Sequence, residues 1–251
     1  MGKKLSMIGL AILVLIIAGV AILYLSLNRV IRSAVETYGP QATKSEIKLG
    51  SVNVSPFSGQ ASLSNLVVGN PPGFKTPSAF RLGGMRVALE VGSVLSDTVA
   101  IREIVIRGPE ITYELGTGGS NLAVLQKNVE AYSGGGAKAS AQSTQAQQGG
   151  KKVAIARLRV EQAKLHVSTV PLKGEPVTLA LPDIELKNLG KGSQGTSLAT
   201  VVEKVLLEVN REAVKAVASV NLKGMAERAK KEAEGAGAGG IGGKLKGIFG
   251  K

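Results

Sequence analysis

The chain opens on an unbroken apolar run and then changes its hydrophobic period twice. From Leu5 to Leu27 the sequence LSMIGLAILVLIIAGVAILYLSL places no charge in 23 positions. At about 1.5 Å per residue, a helix of that length crosses a hydrocarbon core of about 30 Å. The run is longer than the apolar core of a cleaved signal peptide. Its small-residue stretch, Ala18-Gly19-Val20-Ala21, sits in the middle rather than at the end, so the pattern predicts an uncleaved signal anchor. Lys3 and Lys4 on one flank are matched by Arg29 and Arg32 on the other, and charge alone leaves the orientation open. A strand-rich domain after a first helix is expected to cross with it, which keeps residues 1–4 inside. Val30, Ile31, Ala34, Val35 and Tyr38 then continue a helical stripe over 28–40, with Gly39-Pro40 as its expected stop. That stripe is expected to dock on the following domain, or to form a collar between membrane and domain.

After Pro40 the period falls from 3.6 to 2. Ile47 and Leu49, then Val52 and Val54, alternate with polar neighbours across a phase change at Gly50, as in a strand with a bulge. A second strand carries Ala61, Leu63, Leu66 and Val68 and ends at the turn Asn70-Pro71-Pro72-Gly73-Phe74. A third carries Met85, Val87, Leu89 and Val91. Strands follow at Thr98 to Arg107 and Glu110 to Leu115, with Gly108-Pro109 read as a tight turn between them. Asn121 starts a short helix with Leu122, Leu125 and Val129 on one side. Residues 133–151 are almost free of apolar side chains and read as a linker between two parts of one β domain, 41–132 and 152–190. In the second part, strands are expected at Val153 to Glu161, Ala163 to Thr169 and Val177 to Lys187. An amphipathic helical region, 191–234, has a stripe of Leu198, Val201, Val202, Val205, Leu206, Val209, Ala213, Val214 and Val217, before a Gly-rich basic tail, 235–251, expected to be disordered.

Composition removes several kinds of chemistry. The chain holds no cysteine and one histidine, so disulfides, thiolate nucleophiles and conventional zinc sites are out of reach. His166 sits between Leu165 and Val167 on an expected strand, pointing away from both, with no local nucleophile or orienting partner. Gly190-Lys191-Gly192-Ser193 lacks the spacing of a phosphate loop, and Asn53-Val54-Ser55 matches the glycosylation triplet without further support. No enzyme activity, cofactor or metal is therefore expected. The net charge of +13 is spread along strands and tail without interleaved aromatics, which argues against a nucleic-acid partner.

Two pairs of stretches echo each other. Ile101 to Tyr113 aligns with Ile155 to Val167, and Leu63 to Asn70 with Leu181 to Asn188; the two offsets differ, so the halves read as similar hairpin units of one sheet rather than a tandem duplication. The expected fold is mainly β with helices (α+β): a transmembrane helix, a curled, mostly antiparallel sheet of eight strands, and a long amphipathic helix near the C-terminus. The apolar face of such a sheet must be covered by a second sheet, a helix or a ligand, and a sheet curled on itself leaves a trough suited to an acyl chain. Met85, Val87, Leu89, Ile104, Ile106, Ile111 and Tyr113 are the residues expected to face it.

The anchor is one of several features that resemble the N-terminal module of the AsmA-like family of Gram-negative envelope proteins. The others are the Leu63 to Phe74 run L-x-N-L-x-V-x-N-P-P-G-F, the Val87 to Leu95 run, the Ile101 to Glu114 run I-x-x-I-x-I-x-G-P-x-I-x-Y-E, and Asn121-Leu122. The resemblance covers residues 1 to 125 well and 151 to 190 loosely; the chain is shorter than typical members and has a helical C-terminus. It implies similarity to repeating β-groove lipid-transfer proteins, an inner-membrane anchor with a periplasmic domain, and a role in envelope biogenesis with membrane phospholipid as partner. Other envelope proteins, or a second copy, would be needed to bridge an envelope. The competing expectation is a non-catalytic interaction module, a β-sandwich of the water-stress type, in which a second sheet fills the apolar face.

Overall fold

Helix α1 (Gly2–Thr43) runs past the point at which Gly39-Pro40 was expected to end it. Pro40 has no N–H to offer the Glu36 carbonyl, yet the turn persists. The Lys44 N–H donates to the Pro40 carbonyl at 2.9 Å, and the Thr43 hydroxyl donates to the Gly39 carbonyl at 2.9 Å. The helix stops where Lys44 adopts the left-handed conformation, φ 57°. The computed structural model describes residues 2–116, 118–134, 151–168, 177–191 and 194–239; side chains are described for part of the segment 10–25 and not beyond 220. Among the described residues no helix is both long enough and apolar enough to cross a membrane. About half of the side chains between Leu5 and Leu27 lie outside that set, so the expected span is only partly among the described residues. Most of the expected linker, at 135–150, and the tail from 240 onward also lie outside the described residues.

The chain divides into two units, Met1–Asn210 and Arg211–Lys251. In the second, the long C-terminal helix, named α3 below, continues to Gly239, so the first glycines of the expected tail are helical. Within this unit Glu212 accepts a hydrogen bond from Lys215 Nζ at 2.8 Å.

The first unit is built on a sheet of β1 (Ile47–Ser55), β2 (Gln60–Val68), β3 (Phe80–Leu89), β4 (Thr98–Arg107), β5 (Glu110–Gly116), β6 (Gly119–Ser120), β7 (Lys152–Glu161), β8 (Lys164–Ser168), β9 (Val177–Ala180) and β10 (Ile184–Leu189). Helix α2 (Asn121–Ser133) separates β6 from β7, and α3 (Leu198–Gly239) follows β10. It is a mainly β fold with a curled sheet and helices. The described strands form a single main sheet, so no second sheet is present among them to make the sandwich.

The register corrects the reading of Gly108-Pro109 as a turn. β3 pairs Gly84 with Arg107 of β4 and Arg81 with Glu110 of β5, so β4 and β5 lie end to end as one line beside β3. In the same way β7 and β8 continue each other beside that line, and β10 and β9 continue each other beside β7 and β8. Nine of the ten segments therefore lie in six lines, β1, β2, β3, β4 with β5, β7 with β8, and β10 with β9, while the short β6 pairs antiparallel beside the end of β5. Five gaps at about 4.8 Å make the sheet about 24 Å wide, narrower than eight separate strands would be.

The first sequence echo has a direct structural meaning. β4 and β7 run parallel, as do β5 and β8, and the aligned residues are immediate neighbours: Ile101 beside Ile155, Ile104 beside Leu158, Ile106 beside Val160, Ile111 beside Leu165 and Tyr113 beside Val167. Parallel neighbours need a crossover rather than a hairpin. Here the chain passes through α2, whose Leu122, Leu125 and Val129 are buried as the spacing predicts. The repeated units are thus parallel lines, not hairpins.

One rung across the sheet is irregular in every line. Pairing skips Gly50 opposite Asn65, Asn65 opposite Gly83, and the stretches around Gly108-Pro109, Gln162-Ala163 and Pro182 that continue the same rung. Asn65, Gly108 and Gln162 have φ of 55°, 56° and 56°. At this rung the apolar phase slips by one residue in each line, from Leu49 to Val52, Leu63 to Leu66, Leu82 to Met85, Ile106 to Ile111, Val160 to Leu165 and Leu179 to Ile184. An extra residue of this kind bends a strand and increases its twist. Placed at one level in six lines, it acts as a crease.

Candidate functional site

Because paired residues in adjacent strands share a face, the register assembles the scattered apolar positions into rungs. One rung is Val52, Leu63, Met85, Ile106, Val160 and Ile184; the next is Val54, Ala61, Val87, Ile104, Leu158 and Leu186. Both cross all six lines without a polar residue. Beyond the crease, Ile47, Val68, Phe80, Ile111, Leu165 and Leu179 form a third.

Burial is uneven along these rungs. Ile111 is 1% exposed, Leu165 0%, Leu158 2%, and Ile104 and Tyr113 8% each, so these are packed in the core. Val52, Leu63, Met85, Val87, Leu89 and Ile106 are half-buried. Of the seven residues expected to face a ligand, the structure thus puts Ile104, Ile111 and Tyr113 in the interior and leaves Met85, Val87, Leu89 and Ile106 partly open. Met85 is paired with Ile106, and Val87 with Ile104.

The alternating positions carry charge. Arg159 reaches Glu103 at 3.1 Å, Arg157 reaches Glu185 at 3.4 Å, and Arg107 reaches Glu161 at 3.1 Å. These partly exposed pairs contribute little stability each, but they mark this face as the wet one. His166 is half-buried beyond the crease, with Nδ1 3.0 Å from the Thr178 hydroxyl. It lines a shallow depression with Thr76, Pro77, Ser78, Arg81, Glu110 and Thr112. Among the described residues, no group of three metal-ligating side chains converges.

The motif residues meet in one buried polar network. Asn121, fully buried, donates to the Asn70 side-chain oxygen at 2.7 Å and to the Thr112 carbonyl at 2.8 Å. Its own oxygen accepts from the N–H groups of Glu114 and Leu122, each at 2.9 Å. Glu114 accepts from the Lys75 N–H at 2.7 Å, the Thr76 N–H at 2.8 Å and the Thr76 hydroxyl at 2.6 Å. Burial, the largest single influence, would raise its pKa. The hydrogen bonds from Thr76 and Lys75, with the Lys75 charge, outweigh it and hold the carboxyl below the ordinary glutamate value. Every polar atom here is engaged in holding the Asn70-to-Thr76 loop against β5 and α2, so the network is structural.

The first helix is held by polar contacts that the apolar stripe did not reveal. Asn28 Oδ1 accepts from the Val54 N–H at 3.0 Å, and Glu36 Oε1 accepts from the Leu49 N–H at 3.0 Å. Arg32 Nε donates to the Leu49 carbonyl at 2.7 Å, and its Nη2 donates to the Gly50 carbonyl. Residues 28, 32 and 36 lie one above another on a helix, a spacing visible in the sequence. They satisfy the outer edge of β1, which would otherwise invite pairing with another chain. Val30 and Tyr38 of the expected docking stripe stay 59% and 55% exposed. On α3, Val201, Leu206 and Val209 are buried, while Leu198 and Val202 of its expected stripe are exposed.

Comparison with curated proteins returns no match. The model of the AsmA family matches residues 1–246, a reach that takes in the C-terminal helix as well as the strand motifs, and the chain therefore belongs to the AsmA family.

Proposed function

We propose that this protein is an inner-membrane-anchored factor of envelope biogenesis that holds phospholipid acyl chains against the apolar rungs of its sheet. The observation that carries the reading is the rung from Val52 to Ile184. It is apolar across all six lines, yet half-buried from Val52 through Leu63 and Met85 to Ile106. Apolar surface that is continuous and incompletely covered marks a binding site. Membership of the AsmA family supports an envelope role. The uncharged run from Leu5 to Leu27 supports anchoring, with the sheet on the periplasmic side. Partners are membrane phospholipid and, for any path longer than this sheet, another envelope protein or a second copy. The chemistry is binding and guidance rather than catalysis.

Native mass spectrometry of the detergent-extracted full chain tests the reading. Phospholipid should co-purify in stoichiometric amount and be lost in Met85→Glu. Protein that is folded and free of lipid under several mild detergents would overturn it.

A further inference from the structure

The contacts between α1 and β1 fix a direction. Asn28 lies beside Val54 and Glu36 beside Leu49, so β1 runs back toward the apolar end of α1. The turn after β1, at residues 56–59, therefore lies at the anchor end of the sheet. Asn28 stands one residue beyond the uncharged run. Phe57 is three residues past Val54, and at about 3.3 Å per residue the chain can carry it up to about 10 Å further toward the anchor.

The same end holds the segment between β3 and β4. The Leu89 N–H donates to the Gly59 carbonyl at 2.8 Å, and Val91 packs where a Cβ on Gly59 would stand. This segment carries Leu95. Among the described large apolar side chains, Leu95 at 94% and Phe57 at 86% exposure are the most exposed, and both are at this end. Leu198, 59% exposed, lies two residues past Thr196, which bonds to Val153 near the start of β7. Exposed Lys151 and Lys152 at the start of β7 and Lys191 after β10 lie at this same end, Lys151 donating to the Val94 carbonyl beside Leu95, with Glu90 and Asp97 as exposed acidic residues of the Leu95 segment. At the opposite end of the sheet, Leu115 and Val177 are exposed by 46% and 37%.

We infer that this end of the sheet is a membrane-contact rim, in which Phe57 and Leu95 enter the lipid interface beside the anchor while the lysines meet anionic headgroups. The inference rests on reading Leu5 to Leu27 as a membrane span, and it goes further: the domain is seated on the bilayer rather than merely tethered to it. Two nearly bare apolar side chains in water are unfavourable, and burying each at an interface is favourable in proportion to its apolar area. Lysines near an anionic surface add attraction. The seating turns the anchor-end margin of the apolar face, next to the rung from Val54 to Leu186, toward the lipid from which acyl chains would be drawn.

The absence of cysteine makes the test direct. Full-length Phe57→Cys, Leu95→Cys, Leu115→Cys and Leu15→Cys variants, each labelled with the fluorophore NBD, are reconstituted in phosphatidylethanolamine/phosphatidylglycerol vesicles with or without brominated lipid. Labels at 57 and 95 should shift to shorter wavelength and lose at least half their emission to bromine, as at 15, whereas 115 should behave as in water. Quenching at 15 but not at 57 and 95 overturns the rim and leaves the anchor standing. Quenching at all four positions means unoriented adsorption and also overturns the rim. No quenching at 15 overturns the anchor reading, and the rim with it.

Discussion

Gly50 and Asn65 occupy one rung of β1 and β2, and a Cβ added at position 50 would stand 2.7 Å from the Asn65 Cβ and 3.0 Å from the Ser64 carbonyl oxygen. Asn65 is in the left-handed conformation that bends its strand, so its side chain takes the place a residue larger than glycine would need. Gly50→Ala should therefore cost about 1–3 kcal/mol through overpacking, read as a lowered Tm. Gly83 lies on the same crease with nothing within 4 Å of a built Cβ and no positive φ, so Gly83→Ala should change Tm little. Equal losses at both positions would show that glycine's flexibility, not the close approach, matters.

How much of this could be read beforehand differs from element to element. The phase slip at Gly50 is visible in one strand, because Leu49 and Val52 break strict alternation. The same slip at Gly108-Pro109 was hidden, since Gly-Pro ordinarily marks a chain reversal and nothing local shows that the chain continues straight on. Only pairing with β3 decides it. The echo between Ile101 to Tyr113 and Ile155 to Val167 was legible as a repeat but not as parallel neighbours, because apolar alternation carries no strand direction. Asn28, Arg32 and Glu36 share one side of the helix at a spacing of four, but the apolar stripe of the same segment fits the helical period as well, so periodicity does not single out the side that meets the sheet. Among the candidate site residues, alternation selected the apolar faces; which of them are covered depends on helices far away in sequence, so Ile111 and Met85 looked alike.

The Glu114 carboxylate makes stability depend on acid. Its folded pKa lies below the ordinary glutamate value, so the unfolded chain takes up the proton first as pH falls. The stabilisation is fully present above the ordinary glutamate range and is lost as pH falls toward the depressed folded value. Glu114→Gln replaces an acceptor of three bonds with an amide that cannot accept all of them. It should cost about 1–3 kcal/mol at neutral pH and flatten the dependence of Tm on pH as pH falls through and below the ordinary glutamate range. A variant with the wild-type slope would show that other carboxylates govern the acid response.

The hold of α1 on the sheet edge is open to hydrogen exchange. The Val54 and Leu49 amides donate to Asn28 and Glu36, partners on the helix rather than on a strand. Asn28→Ala should speed exchange at Val54 at least tenfold while leaving β4 and β7 amides unchanged. The double variant Arg32→Ala, Glu36→Ala should free the edge at Leu49 and promote self-association, read by light scattering. Unchanged exchange at Val54 would mean that the edge stays shielded without these contacts.

The half-open rung gives the sharpest division between a core and a groove. Met85 and Ile106 are direct partners and both half-buried, whereas Ile111, beyond the crease, is 1% exposed. A glutamate at 85 or 106 can turn its carboxylate toward water, so Met85→Glu and Ile106→Glu should keep a cooperative melt within a few degrees of wild type. At 111 the charge has no such path, and Ile111→Glu should cost more than about 4 kcal/mol and leave little folded protein. Arg86→Glu, on the wet face between Met85 and Val87, serves as the outward control and should alter neither melt nor bound lipid. If the half-open rung holds acyl chains, Met85→Glu and Ile106→Glu will fold and yet lose co-purified phospholipid several-fold, because a carboxylate among methylene groups is unfavourable for ligand as well as for protein. Lipid loss confined to variants that also unfold, or its absence from the wild type, would make the sheet face a closed core and remove the basis for a lipid-holding function.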